Sequence, residues 1–367
     1  MKRSTQRKTE ALINLDAIRN NYSLASALAP QSKNIAVIKA DAYGHGMLRV
    51  AEALQDVVSA FAVAIPEEAL ELRAAGISRP ILVLEGANDA QACEVAAANE
   101  LSLVVHNQEQ VSQLLSASLS GNVPLWLKVD TGMHRIGFAP DDLKPALERL
   151  RAGGHDVSVI CTHLACADDL TSDATQQQLD SFNACVSGIG LPTSISNSAG
   201  ILAWPASHAD WNRPGYMLYG NSPMTTDVES ASGLQPAMTL RSEIIAIREI
   251  PAGESVGYGA RWTAKRPSVI GTVAAGYADG YPRHAPNGTP TMVNGQIAPL
   301  VGTVSMDMLS IDLTAHDNVA IGDTVELWGQ DVSVNEVATR CGTIGYELLT
   351  GVTARVPRLY IPRRSGP

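Results

Sequence analysis

From residue 34 onward, short apolar runs alternate with stretches whose apolar positions recur at helical spacing. The runs are NIAVIKA (34–40), AFAVA (60–64), PILVLEG (80–86), LSLVVH (101–106), PLWLKVD (124–130), SVICTHLA (158–165), TSISNS (193–198) and DWNR (210–213). Most are apolar throughout instead of alternating, which suits parallel strands buried on both faces. Between them, PEEALELRAAG (66–76) opens with Pro and two acids and closes on Gly, the chemistry of a helix start and stop. NDAQACEVAAANE, NQEQVSQLLSAS and ATQQQLDSFNACV carry the same period. An earlier helix starts at Asp16, a good N-cap, with Ile18, Tyr22, Ala25 and Leu28 on one face. Eight strand–helix units over about 200 residues predict a (β/α)8 barrel.

The pattern changes near residue 232. SEIIAIREI, PSVIGTVAAGYADG, TPTMVNGQIAPLVG, MLSIDL and DTVELWG are β-rich runs separated by turn residues, with one helix expected at VNEVATRC. Asn294-Gly295 between two such runs predicts a hairpin. The reading is therefore a loose tail at 1–10, a barrel at 11–232 and a mainly antiparallel β domain at 233–367. The boundary falls within 221–236, where Ser, Thr, Asp, Gly and Pro concentrate.

Composition narrows the function classes. The 367 residues are enough for two domains, and 45% hydrophobic against 17% charged residues supplies a large core. A net charge of -10 disfavours nucleic acid and anionic membrane surfaces as partners. Five scattered cysteines without a C-x-x-C pair read as reduced thiols in a reducing compartment. No run approaches the ~20 apolar residues of a membrane span, and the basic MKRSTQRK is not followed by a long uncharged stretch. The expected location is the cytoplasm.

In a barrel, reactive groups lie where strands end and loops begin, at the C-terminal face. Lys39, Asp130, His163, Ser198 and Arg213 all stand at such ends, so five separated stretches converge on one rim. A lysine at the end of an apolar strand loses its proton more readily on desolvation, which suits Schiff-base chemistry; taken alone it also fits a side chain snorkelling to solvent. "NSAG" (197–200) and "RPGY" (213–216) follow strands seven and eight, where barrels bind phosphate, although an ordinary Pro-Gly turn reads the same way. No P-loop, G-x-G-x-x-G, H-E-x-x-H or G-x-S-x-G occurs, so neither a nucleotide cofactor nor a metal is expected.

"VIKADAYGHG", "KVDTGMHRIGF", "THLACAD", "NSAG", "RPGYMLYG", "VGYGARW", "GYADGYPR" and "GTVSMDM" follow one another along the chain. Together they resemble the successive signatures of bacterial alanine racemases, in the family order, from about residue 11 to about 360. The resemblance implies a barrel followed by a β domain, and interconversion of L- and D-alanine with pyridoxal 5'-phosphate, whether for peptidoglycan or for alanine catabolism. It implies that Lys39 carries the cofactor as a Schiff base and acts as one base, with Tyr258 of the partner subunit as the other. Arg213 would face the pyridine nitrogen with His163 beside it. Tyr43, Ser198, Gly215, Tyr216 and Tyr346 match phosphate-binding positions, Tyr216 through its backbone. Arg135 would support the cofactor's phenolic oxygen and the substrate carboxylate. Met306 and Asp307 of the partner would border the substrate, and Lys128 matches a position carbamylated in some members. A head-to-tail homodimer follows, because groups on the second domain would complete the other subunit's site. Asp41, where many relatives carry Asn, Tyr216, where a smaller aliphatic is frequent, and Ser305 before Met306 depart from the pattern without removing a catalytic group.

Two acid/base groups must flank Cα for a proton to leave one face and return to the other, and a lysine and a tyrosine supply that asymmetry. Three readings compete. A single-barrel pyridoxal-phosphate carrier protein has no second β domain, and a decarboxylase of this fold usually sets an acid opposite the ring nitrogen. A broad-specificity racemase typically carries an export signal.

Overall fold

The computed structural model describes residues 8–361. Its contacts divide the chain into two units, one holding Ile18–Ala42 and Gly46–Leu234, the other the chain up to Ala17, Tyr43–His45 and the chain from Gln235 onward. Residues 1–7 of the expected tail lie outside the described residues. Lys8 pairs with Glu243 at 2.5 Å, Thr9 is buried, and β1 begins at once, at Glu10–Asn14.

The first unit is a closed barrel of eight parallel strands: β2 (Lys33–Val37), β3 (Ala60–Val63), β4 (Ile81–Val83), β5 (Leu101–Val105), β6 (Leu125–Lys128), β7 (Val157–Cys161), β8 (Thr193–Ser194) and β9 (Trp211–Asn212). β9 closes onto β2 through Lys33 opposite Trp211 and Asn34 opposite Asn212. Every residue of β3 and β4 is buried, as their continuous apolar runs require. The intervening helices start on polar caps: Asp89 accepts from the Ala92 amide, Asn107 from that of Gln110 and Asn197 from that of Gly200. Glu68, in the first turn of the helix Pro66–Ala74, accepts through its carboxylate from the backbone amides of Ala64 and Ala40 at 2.8 and 2.7 Å.

Lys39 does not end the first barrel strand, which stops at Val37. It opens a short turn, Lys39–Gly44, in which Ala40, Asp41, Ala42 and Tyr43 all hold φ near +53. L-residues pay roughly 1–2 kcal/mol each for the left-handed conformation, so the turn stores on the order of several kcal/mol. Local hydrogen bonds oppose that cost. Besides Ala40 to Glu68, the Ala42 amide donates to Ile38 O, and Gly46 N and Met47 N donate to the main-chain and side-chain oxygens of Asp41. The reading missed this because KADAYG carries no glycine before position 44 and looks like ordinary helix.

The second unit is built on an eight-stranded, mainly antiparallel sheet that includes β10 (Met238–Ile250), β13 (Ser268–Val273), β14 (Pro290–Val293), β15 (Gln296–Pro299), β16 (Leu309–Asp312), β17 (Thr324–Trp328) and β18 (Arg358–Ile361); β11 (Ser255–Val256) and β12 (Trp262–Thr263) form a separate ribbon. The expected hairpin joins β14 to β15, with both Asn294 and Gly295 at positive φ as a tight primed turn demands. Two features differ from the sequence reading. β1, placed there at the head of the barrel segment, pairs antiparallel with β10 and parallel with β18, because its alternating burial suits a one-faced sheet instead of a barrel wall. A second helix, Gly345–Thr350, follows the expected one at Val334–Arg340.

The left-handed turn makes an uncommon prediction. Ala40→Gly, at an exposed position, leaves stability unchanged or raises it by up to about 1 kcal/mol, since glycine tolerates positive φ. The same change at exposed Ala184, inside the helix Ala174–Val186, costs about 1 kcal/mol. Urea midpoints of the two variants check the contrast.

Candidate active site

Arg213 follows β9 directly and is only 7% exposed. Its guanidinium donates to Ser194 Oγ, to Thr162 O at 2.6 Å and to Ile195 O at 3.1 Å, tying the ends of three neighbouring strands. It also reaches His163 Nδ1 at 3.4 Å, which makes that nitrogen the acceptor and leaves the ring proton on Nε2. Burial, then the charges of Arg213, Lys128, Arg135 and Lys39, push the His163 pKa well below the ordinary histidine value, so the imidazole is neutral.

Lys39 is half-buried, and burial, with Arg135 adding repulsion, lowers its pKa, while Glu85 and Glu68 pull the other way. Lys128, the last residue of β6, is brought down to about 8, mainly by burial and further by Arg213 and Arg135. Cys161 stands opposite Lys128 in the register, and its thiol is raised by burial. His163 thus lies within electrostatic reach of Arg213, Lys128, Arg135 and Lys39.

Ser198, Gly215 and Tyr216 form a second group. Ser198 Oγ accepts from the amides of Gly215 and Met217 at 3.0 and 3.2 Å, so a hydroxyl and two backbone donors cluster in a buried corner. Asn197 fixes this corner to the loop after β7 by donating to Leu164 O at 3.2 Å.

The Arg135 loop is shaped by Asp130. One carboxylate oxygen accepts from the amides of Gly132, Met133 and His134 at 2.9, 3.0 and 3.1 Å. Against the upward push of partial burial, these bonds hold the carboxyl below its ordinary value. The loop doubles back so tightly that a Cβ on Gly137 (φ +138) would lie 2.6 Å from Asp130 N. Gln178, 3% exposed, links this loop to that of His163: it accepts from Ala165 N at 2.8 Å and donates to His163 O at 3.0 Å and Thr131 Oγ1 at 3.4 Å.

The remaining candidates belong to the other unit. Tyr43 and Tyr346 face each other with ring centroids 6.0 Å apart, and burial pushes the Tyr43 phenol up to about 12. Tyr258 is 71% exposed on the 3-10 turn Tyr258–Ala260, and its carbonyl accepts from Thr303 Oγ1 at 2.9 Å. Met306 is 53% exposed, and Asp307 pairs with Arg355. Sequence reading missed Glu68, Cys161, Gln178, Ser194 and Arg355. Ser194 and Cys161 are visible only as small polar breaks in apolar runs, and nothing local marks the others.

Among the described residues, no group of His, Cys, Asp and Glu could hold a metal ion, and no helix is long and apolar enough to cross a membrane.

Comparison with known proteins covers both units. Residues 13–223 match the family profile of the alanine racemase N-terminal domain, and residues 237–360 that of the alanine racemase C-terminal domain. The chain is 51% identical to the alanine racemase of Alteromonas mediterranea over 353 residues, spanning 96% of this chain and 98% of that protein. The crystal structure of the biosynthetic alanine racemase from Pseudomonas aeruginosa superposes with a TM-score of 0.94 at 49% identity, over 97% of this chain and all of that one. The alanine racemase of Bartonella henselae, solved with covalently bound pyridoxal phosphate, is similar at a TM-score of 0.90 and 30% identity, over 97% of this chain and 100% of that one. With both domain profiles matched in order and relatives similar end to end, the chain belongs to the alanine racemase family.

Proposed function

We propose that this chain interconverts L- and D-alanine at the rim of its barrel, with Lys39 and the partner subunit's Tyr258 as the two groups that move the α-proton. The observation that carries the reading is Lys39 itself: an amine on a strained turn at the rim, held toward its neutral form by burial among cations. A neutral amine is the form that bonds a carbonyl and the form that takes a proton.

The residues present fit pyridoxal 5'-phosphate. Ser198, whose Oγ accepts from the Gly215 and Met217 amides and so keeps its proton to donate, suits a phosphate, with Tyr216 adding its backbone. The rim's excess of cations suits an anionic group. When bound, the cofactor supplies an electron sink for the pair left at Cα. Arg213, always protonated, would donate to the ring nitrogen without surrendering its proton, and neutral His163 accepts from Arg213 and helps hold its orientation. Arg135 supports the phenolic oxygen and the substrate carboxylate. Met306 and Asp307 of the partner border alanine's small side chain and carboxylate. Lys128, near neutrality at pH 8, adds its amine to carbon dioxide with loss of a proton; the resulting anion would pair with Arg135. A head-to-tail homodimer follows from the assignment of Tyr258, Met306 and Asp307 to a second copy's site. Five free thiols, three of them buried, suit the cytoplasm.

The direct test is alanine racemisation by purified protein. Lys39→Ala and Tyr258→Phe each lose at least about 10²-fold in kcat. Mixing the two variants under exchange restores about a quarter of wild-type activity, because half of the dimers then contain one intact site of two. No recovery on mixing, with exchange verified, rejects completion by the partner.

Arg213→Glu would favour a protonated ring nitrogen on the bound cofactor and so a stronger electron sink, which would let protons be delivered to the wrong carbon more often. With alanine alone the variant releases up to one pyruvate per site, the amino group staying on the cofactor, and the absence of pyruvate counts against the assigned role of Arg213.

The sign for pH follows from Lys39. Its pKa, lowered by burial, means that the amine becomes neutral below the usual lysine value of about 10.4. Capture of added pyridoxal phosphate by cofactor-free protein therefore accelerates as pH rises toward this lowered value and levels off above it. A rate still climbing through pH 10.5 contradicts the depressed amine.

A further inference from the structure

We propose that Arg355 is a positioning residue that holds the Asp307 carboxylate and cancels its charge where the carboxylate of alanine is received. The proposal rests on the reading that Met306 and Asp307 border the substrate.

Arg355 is anchored before it reaches Asp307. Its Nε lies 3.2 Å from Asp279 Oδ1, and Asp279 is 1% exposed. The other Asp279 oxygen accepts from Gly276 N at 2.8 Å, and the Asp279 carbonyl accepts from Thr353 N at 3.2 Å. The guanidinium therefore sits on a fixed, buried anion and presents Nη2 to Asp307 Oδ1 at 2.9 Å.

The Asp307 loop is fixed by the same segment. The Tyr277 and Ala278 amides donate to the carbonyls of Ser305 and Met306 at 3.1 and 2.9 Å, and Ser305 N donates to Met308 O at 2.8 Å. The approach is so close that a Cβ on Gly276 would fall 2.3 Å from Ser305 O. Hydrogen bonds thus set the loop's backbone without Arg355, and a half-exposed ion pair of this kind contributes little to stability. What Arg355 adds is charge. An Asp307 carboxylate without its cation would repel an arriving anionic carboxylate, and Arg355 removes that penalty.

The test is a double-mutant cycle on the holoenzyme, read as KM and kcat for L-alanine at two salt concentrations. Arg355→Met raises KM roughly tenfold with kcat within about threefold, and the defect shrinks with added salt as repulsion is screened. Asp307→Asn removes one of the two negative charges that share Arg355, leaving the guanidinium paired with Asp279, and lowers KM roughly threefold. The double variant returns KM to within about twofold of wild type, and Arg355→Lys, which keeps the charge, stays within about threefold. Circular dichroism and thermal midpoints confirm folding, and Arg355→Gln replaces the Met variant if that one does not fold. An unchanged KM in the Arg355 variants, or a double variant as impaired as Arg355→Met, overturns the proposal. If Asp307→Asn alters neither KM nor kcat in either background, the placement of Asp307 beside the substrate fails, and the proposal with it.

Discussion

A guanidinium buried at the barrel rim governs the ionisation of its neighbours. Arg213 is held by a hydroxyl, two carbonyls and an imidazole, all neutral acceptors, so its hydrogen bonds are satisfied while its charge is not cancelled by them. Burying a cation is tolerable only with such dense hydrogen bonding. Burial, with this uncancelled charge adding to it, keeps His163 neutral and draws Lys128 toward neutrality. A rim with this bias welcomes anions and keeps amines reactive, the two properties that the chemistry needs.

The same region shows how loops are made as rigid as strands. The segment after β7 has its polar backbone occupied residue by residue: Thr162 O by Arg213, His163 O and Ala165 N by Gln178, and Leu164 O by Asn197. Asp130 does for the Arg135 loop what an N-cap does for a helix, collecting three amides on one oxygen. Side chains that never touch a reacting atom therefore decide where the reacting groups point.

Much of this was legible in the sequence. The barrel showed itself because its strands are apolar on both faces, and the hairpin because Asn294-Gly295 is suited to little else. The rim positions were legible because a barrel puts strand ends on one face, and the family was legible because eight ordered motifs resemble it. The illegible parts share a physical cause. The left-handed turn at Ala40–Tyr43 is imposed by surroundings against local preference, and no residue type announces it. Gln178 and Arg355 act through partners distant in sequence, Gln178 on Thr131 and Arg355 on Asp279, so their neighbours in the chain carry no signal. β1 (EALIN) carries three consecutive apolar residues, so its one-faced burial is not written in its sequence, and its partners lie in segments more than 200 residues away.

That last pairing bears on how the protein is made. β1 leaves the ribosome long before its partners, yet its place is between β10 and β18, and β18 is the last strand among the described residues. The barrel strands, paired with near neighbours in the chain, can assemble during synthesis, while β1 waits with unpaired edges until β10 and β18 have been made. An exposed strand edge in a half-made chain is an invitation to pair wrongly. The polar Glu10 and Asn14 that bracket the three apolar residues of β1 therefore serve the nascent chain as well as the finished sheet, by making its waiting form poorer at aggregation.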